Sequence, residues 1–583
     1  MSVFWTYRLK NSIGRRIKLF ALSSGRKNVR RLSQKVKETE SDNAFIPFMD
    51  VLKFRRNEAR RSILVQVQSA QSFKELHSYC NSVGNIKQML HYTVGVEPLN
   101  FIVVEFASEE DVTNVLERSS YVEDTQVVPV QSQFLWFRAS NRKLPKLKQS
   151  KSAILNTENG NQCMKSPEIM NLLRNCDSVS EQMNVLYNST KLNDLGTRLR
   201  FLTARQVENA VRGMFPKARA YPFGSSVNGY GKMGCDLDLV LRLCDDKIKN
   251  DARLMFHCKG LVGSERTASQ RNMEAIGDLL QLFLPGCSQV RRILQARVPI
   301  IKYYQQLTDV ECDLSMSNMS GVHMSDFLYI MGSLDPRIRP LIFTIRKWAS
   351  EVGLTNSSPG RWITNFSLTL LVLAFLQKPI NSKPILPSLN TLVKLAEPND
   401  FYVTEDGINC TFLRDITKLK IPNGNNESLE SLLIEFFEFY SQFDFASKAV
   451  CLNESVAITK PEHCALYIVN PLERGLNVSK NVSIEELDRF RVEARNAAWV
   501  LESQENKSEN WGILSIFENK KKSNSVLNFA FSSKHGRLVE VSTLFEENTD
   551  KPIQYKNASV KKQIENIKND TKDKLKEIQK INR

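Results

Sequence analysis

No Cys-x-x-Cys pair occurs in this sequence of 583 residues, and its eleven cysteines, an odd number, are scattered singly from Cys80 to Cys464. That pattern excludes a disulfide framework and a zinc knuckle, and the thiols read as reduced core side chains. His257 beside Cys258 is the nearest approach to a soft-metal cluster, and it lacks the second pair that a tetrahedral site needs. Long apolar runs are missing as well. The longest, Phe366 to Leu376, is about half of the ~20 residues that cross a bilayer, so it reads as a buried helix and no membrane anchor is expected. Acidic residues are absent before Glu38.

That acid-free stretch of 37 residues carries eleven Lys and Arg, among them Arg8, Arg15, Arg16, Arg26, Arg30 and Arg31, set among hydroxyl and apolar residues. This is the make-up of a mitochondrial presequence, expected over residues 1–40, and it points to the mitochondrial matrix. A basic arm that grips RNA is the alternative. No uninterrupted apolar core follows the first charges, which argues against secretion. Residues 551–583 hold ten Lys and Arg against four acids, so the two ends account for the whole net charge of +17 and the body between them is neutral. A nucleic-acid channel in that body must come from local clustering of charge.

The length exceeds what one hydrophobic core can serve, so three or four folded units are expected. Residues 41–138, with a core at 62–137, show a β-α-β-β-α-β order: strands at 62–67, 87–96, 100–106 and 127–130, and helices at 72–79 and 109–117, the second capped by Ser108. The order resembles an RNA-recognition motif of ferredoxin-like fold. Phe101 fits one of that family's base-stacking places, but Val103 stands where a second aromatic is expected and the first strand is aliphatic. Protein–protein contact, as a homodimer, is therefore the preferred use of this module over RNA contact. Residues 139–166 read as a lysine-rich linker, and 521–583 as a lysine-rich tail without a core. Between them, a helix is expected over 204–215, strands at 218–224, 237–243, 296–305 and 310–315, a helix at 268–284, and a mainly helical region from 328 onward.

Two aspartates one residue apart, in Gly234-Cys235-Asp236-Leu-Asp238-Leu-Val-Leu241, are the most informative feature. In an alternating strand an i, i+2 pair shares one face, where two carboxylates repel unless a cation lies between them. Upstream, Gly224 and Ser225 in a glycine-rich turn offer backbone amides and a hydroxyl to a phosphate chain. Downstream, Asp313 sits between apolar Cys312 and Leu314 in a second alternating strand, and pairing of that strand with the first would add a third carboxylate. Three acids without histidine make a hard oxygen site suited to Mg²⁺ or Mn²⁺.

The Gly-Ser turn, the Asp236-x-Asp238 strand, and Ala296 to Lys302 leading to Val310-Glu-Cys-Asp313 resemble the nucleotidyltransferases of the DNA polymerase β type. Gly360 to Leu371 and Asn470 to Val482 resemble the helical poly(A)-polymerase-associated region. With the basic N-terminus and the RNA-recognition-like module, the resemblance narrows to poly(A) polymerases of mitochondria. It implies an α+β multidomain protein: a polymerase-β-like palm with a mixed sheet and helices over 167–328, a helical poly(A)-polymerase-associated domain over 329–520, and the N-terminal ferredoxin-like module. It also implies transfer of AMP from ATP to RNA 3′ ends, with Asp236, Asp238 and Asp313 as metal ligands of a two-metal mechanism. By the same resemblance Gly224, Ser225, Gly234, Cys235, Asn318, and Arg346 or Lys347 would contact the nucleotide, and Asn365 and Phe366 would lie at the base. Leu476 stands where uridine-adding relatives carry histidine, and its side chain cannot hydrogen-bond, so adenine is the expected base. The alternatives are a noncatalytic RNA-binding scaffold, or the same chemistry with another product: uridylation, CCA addition or 2′-5′ oligoadenylate.

Overall fold

The structure is a computed structural model describing residues 45–120, 132–139, 155–157, 162–243, 265–316, 319–356, 358, 360–379, 382–419, 424–503 and 510–517, all within one compact unit ending at Asn519. The expected presequence, the strand at 127–130, most of the 139–166 linker, Asn318 and the tail lie outside these residues.

In the N-terminal sheet, β1 (Ser62–Val67), β2 (Ile86–Val94), β3 (Leu99–Phe106), β4 (Phe134–Trp136) and β5 (Asn156–Thr157) lie in the order β4-β1-β3-β2-β5. The three long strands and the helices Phe73–Asn81 and Glu109–Glu117 follow the expected rhythm. Ser108 Oγ accepts from the Asp111 amide at 3.1 Å while the Asp111 carboxylate accepts from the Ser108 amide at 3.2 Å, which closes a capping box. Both edges differ from expectation. The strand beside β1 is Phe134–Trp136 and runs parallel to it, and Asn156–Thr157, inside the stretch read as a linker, pairs parallel with β2.

Alternation divides this sheet between two layers of helix. Ile63, Val65, Ile102, Val104 and Phe106 pack with Leu76, Val112 and Val115 of its own helices. The opposite face, Leu64, Leu90, Tyr92, Phe101 and Val103, packs on Leu195, Leu199 and Leu202 of helix Asp194–Val211 and on Phe48 and Leu52 of helix Phe48–Arg60, an element absent from the sequence reading. This corrects the expectation for Phe101. Its side chain is 1% exposed and stacks on Tyr92 with centroids 5.4 Å apart, so the place that would receive a base is filled by protein. Any self-association of this module must use its outer helices or its sheet edges.

The second sheet holds β6 (Arg219–Phe223), β7 (Leu237–Arg242), β8 (Cys287–Ile293), β9 (Ile300–Gln305) and β10 (Val310–Ser315) in the order β6-β7-β10-β9-β8. Leu237, Leu239, Leu241, Ile301, Tyr303, Cys312 and Leu314 turn to one face and meet Val207 and Val211 of helix Asp194–Val211 and Met273, Ile276 and Leu280 of helix Glu265–Phe283. The other face is left for Asp238, Lys302 and Asp313. Helix Asp194–Val211 begins ten residues before the expected Ala204 and is capped by Asn193, whose Oδ1 accepts from the Gly196 amide at 2.6 Å. Its first turns bury Arg198 and Arg200 among leucines, and those charges break the apolar periodicity that would have announced it.

Helices Ile338–Glu351, Asn365–Gln377, Leu429–Gln442 and Ile484–Ser503 share a core with Ser166–Arg174 and Val179–Thr190. Trp348 is its centre, edge-on to Phe437 at 4.7 Å. The apolar run 366–376 is the buried helix Asn365–Gln377, and among the described residues no helix is long and apolar enough to cross a membrane.

Candidate active site

Strand register builds the site. β10 runs parallel to β7 with Asp313 opposite Asp238, β9 is antiparallel to β10 with Lys302 opposite Asp313, and β6 is antiparallel to β7 with Phe223 opposite Asp238. The third acid therefore arrives on a parallel neighbour of β7, with β9 as its hairpin partner. Asp236 stands exposed just before β7, and Asp238 is half-buried within it. Burial first, then repulsion from Asp236 and Asp313, push the Asp238 carboxyl up to about 7, against a lowering by Lys302.

The turn ahead of these acids is shaped to let them approach. Gly224 has φ +69°, and a Cβ on it would lie 2.3 Å from Asp238 Oδ2, so glycine is required both by conformation and by contact. The Gly224 amide donates to Ser325 Oγ at 2.7 Å. In this state Gly224 therefore supplies close approach, and the neighbouring Ser225 is left to face the cleft. Gly234 also has positive φ, +75°, and turns the chain into Asp236. Arg200, fully buried, holds both turns: it donates to Ser226 Oγ at 3.1 Å and to the Cys235 carbonyl, while Ser226 Oγ donates to the Asp236 carbonyl at 2.7 Å.

A cleft of about 1830 Å³ opens over this face. Gly224, Ser225, Gly234, Cys235, Asp236, Asp238, Arg346, Lys347, Asn365, Phe366 and Leu476 all line it. Eleven residues from four separate stretches of sequence are thus brought to one cleft. Asp313 is not among the lining residues, and Asn318 lies outside the described ones. Arg346 donates to the Tyr230 carbonyl at 2.8 Å and to Thr369 Oγ1, its Nε has no partner, and no carboxylate among the described residues answers its charge. Burial lowers it to about 10. Lys347 by contrast is paired with Glu351 at 2.9 Å. Leu476 closes a tight loop by donating its amide to the Glu473 carbonyl at 2.8 Å.

The donor set suits a hard divalent cation: the carboxylates of Asp238 and Asp313 face each other on adjacent strands and repel one another beside the cleft. As the side chains stand, no three His, Cys, Asp or Glu groups among the described residues close around one point. Both oxygens of Asp313 are instead held by Lys302 Nζ, at 2.8 and 2.6 Å, so an ammonium stands in for a cation at the third ligand.

Residues 179–333 match the family described as "Poly(A) RNA polymerase, mitochondrial-like, central palm domain", and residues 428–486 match "Cid1 family poly A polymerase". The "Poly(A) RNA polymerase, mitochondrial" of Drosophila melanogaster is 49% identical over 552 residues, covering 90% of this chain and 89% of that protein. This chain belongs to the mitochondrial poly(A) RNA polymerase family. The Homo sapiens protein of the same name is 36% identical over 486 residues, 80% of each chain. A crystal structure of mtPAP in complex with ATPγS superposes with a TM-score of 0.72 at 36% identity, covering 81% of this chain and 99% of that one. The fold is accordingly an α+β multidomain one with a polymerase-β-type nucleotidyltransferase palm.

In this mitochondrial poly(A) polymerase, sequence reasoning missed Arg200, Lys302 and Ser325. Lys302 was within reach of hairpin counting: with Gln305 opposite Val310, position 302 must face 313. Arg200 and Ser325 act through tertiary contacts and leave no local signal. The raised Asp238 carboxyl carries a pH consequence. With Asp238 as a metal ligand, a proton would compete with the cation as pH falls through about 7, so Mn²⁺ affinity should rise by up to about tenfold from pH 6 to pH 8. Titration followed by the signal of free Mn²⁺ measures this, and a flat profile would contradict it.

Proposed function

We propose that this chain is a mitochondrial, template-independent adenylyltransferase that adds AMP from ATP to the 3′ ends of RNA. The single observation that carries the reading is the row Phe223–Asp238–Asp313–Lys302 across four strands, of which Phe223, Asp238 and Lys302 line the cleft beside the Gly224-Ser225 turn. In the reaction the 3′-hydroxyl oxygen of RNA bonds to the α-phosphorus of ATP, the bond to the bridging oxygen breaks, and pyrophosphate leaves. Charge develops on phosphoryl oxygens throughout, so positioned cations and amides supply the catalysis.

Asp236, Asp238 and Asp313 would hold Mg²⁺ or Mn²⁺. A pair of such ions, when bound, would ease deprotonation of the attacking hydroxyl and offset charge on the leaving pyrophosphate. Ser225 offers its hydroxyl to the outer phosphates; the main chain of Gly234 and Cys235 lines the cleft nearby, with the Cys235 amide donating to the Lys232 carbonyl at 3.1 Å. Arg346 is the stronger of the two cations on helix Ile338–Glu351 for the triphosphate, because its charge lacks a carboxylate partner while that of Lys347 has one. Phe366, half-buried at the start of its helix, presents a ring to the base, where stacking contributes about 1–3 kcal/mol whichever base is bound. Asn365 beside it and Asn318 are assigned to polar contacts with the nucleotide.

Crystal structures of mtPAP in complex with GTP, UTP and CTP match this chain as well as the ATPγS complex does, with TM-scores of 0.73, 0.74 and 0.74. Leu476 offers the base an apolar wall, whose discrimination is worth about 1–3 kcal/mol. With labelled RNA, Mg²⁺ and one nucleotide at a time, kcat/KM for ATP should exceed that for UTP by about tenfold or more. Better use of UTP would end the adenylation reading, and no addition of any nucleotide would return the chain to the scaffold class.

A further inference from the structure

The acidic row already contains a positive charge. Lys302 Nζ binds both oxygens of Asp313, at 2.8 and 2.6 Å, and the pair is set by strand register: Lys302 is directly across the hairpin from Asp313, between buried Ile301 and Tyr303. Its side chain is nevertheless 38% exposed and lines the same cleft as Ser225 and Arg346. Unlike the guanidinium of Arg200, packed with no exposure and bonded to backbone, this ammonium sits on a flexible four-carbon stem with open space beside it.

We infer that Lys302 is a built-in counter-ion of the metal site: it neutralises Asp313 before a divalent cation arrives, is displaced when the cation takes that carboxylate, and then turns to a phosphate of the nucleotide in the cleft. The inference rests on the reading of Asp236, Asp238 and Asp313 as the metal set. Two consequences follow. The cation must compete with the ammonium, so the lysine weakens binding of metal alone. The freed ammonium is a phosphate ligand, so metal and nucleotide each tighten the other, by one and the same factor. A partly exposed ion pair is weak enough to be broken in this way, because water screens it and its geometry costs side-chain entropy. An enzyme so built keeps its acids from gathering in a repulsive cluster when empty, and it loads metal and substrate together.

The test is Mn²⁺ binding to the full chain, read from the magnetic-resonance signal of free Mn²⁺, with and without an ATP analogue carrying a methylene between its α and β phosphates. Wild type, Lys302→Met and Lys302→Arg are compared. Lys302→Met should bind Mn²⁺ alone about tenfold more tightly than wild type and should lose most of the tightening that the analogue produces, while Lys302→Arg should retain both wild-type features. If Lys302→Met is poorly folded by thermal melting, Lys302→Gln replaces it with the same expectation. Binding of Mn²⁺ alone no tighter in the neutral variant than in wild type overturns the counter-ion role and leaves the metal site standing. Failure of wild type itself to bind Mn²⁺, with or without the analogue, overturns both.

Discussion

Asp238→Asn should silence AMP transfer while leaving the chain as stable as wild type or more so. Asp238 is the acid repelled by both Asp236 and Asp313, and the one brought against the Gly224 turn. Asparagine keeps its size but cannot ligate a divalent cation with charge, and removal of one group that stabilises transition-state charge lowers kcat on the order of 10³-fold. Stability should move the other way. Because the folded carboxyl is raised to about 7, above its unfolded value, its charge destabilises the fold as pH climbs through the carboxylate range, with the full penalty present above pH 7. The neutral amide carries no such penalty. The melting temperature of the variant should therefore equal or exceed that of wild type at pH 7.5, and the difference should shrink toward pH 5. Exposed Asp236, changed to Ala, should lose activity similarly with little effect on melting. An Asp238→Asn chain with near-normal transfer would place the chemistry elsewhere, and one that fails to fold would make Asp238 a structural residue.

Much of this site was legible because strands advertise themselves. Asp236-x-Asp238 and Cys312-Asp313-Leu314 each sit in apolar alternation, so the faces of their acids could be read without knowing the neighbours. What alternation cannot give is which strand lies beside which, and the parallel pairing of β10 with β7 came from the structure. The helical region was legible for a similar reason: Phe366 to Leu376 is too apolar to be anything but interior. The failures cluster where charge is buried. Helix Phe48–Arg60 presents six charged residues in thirteen and looks like a solvated arm, yet it buries Glu58 together with Phe48 and Leu52. Helix Asp194–Val211 was recognised only from Ala204, because Arg198 and Arg200 occupy positions where a core helix shows leucine. The sheet face carrying Phe101 was read as a possible contact surface for the same reason: nothing local reveals that Leu195, Leu199 and Leu202, far along the chain, cover it.

That buried charge underlies the largest stability effect expected in the molecule. Arg198→Met should destabilise the whole chain by about 3 kcal/mol, near the lower end of the ~3–5 kcal/mol that follows from removing one partner of a buried ion network. Arg198 donates to Asp194 and Glu58 at 2.6 Å and to Glu105 at 2.8 Å, and its side chain is 9% exposed. Glu105 lies in β3 of the N-terminal sheet and Glu58 on the helix beside it, so one arginine of the palm ties both to helix Asp194–Val211. Burial alone would raise Glu105, but hydrogen bonds from Lys87, Gln88 and Arg198 outweigh it and hold its carboxyl below the usual range. Lys87, Gln88 and Arg61 remain when Arg198 is gone, as does Arg55 on Glu58, which is why the lower end of the range applies. Thermal or urea unfolding measures the loss. Changing Glu58 and Glu105 to Leu in the same chain should recover much of it, since an apolar replacement of a whole buried network is often neutral. Activity should fall with stability although Arg198 touches nothing in the cleft, because Arg200, two residues along the same helix, holds the turns that aim Asp236 and Asp238. If instead Arg198→Met unfolds like wild type, the N-terminal sheet is a tethered module whose contact with the palm is dispensable. The apolar burial of Tyr92 and Phe101 against that helix argues for the opposite: the sheet is part of the palm's own support, and its base-stacking face has been given over to that purpose.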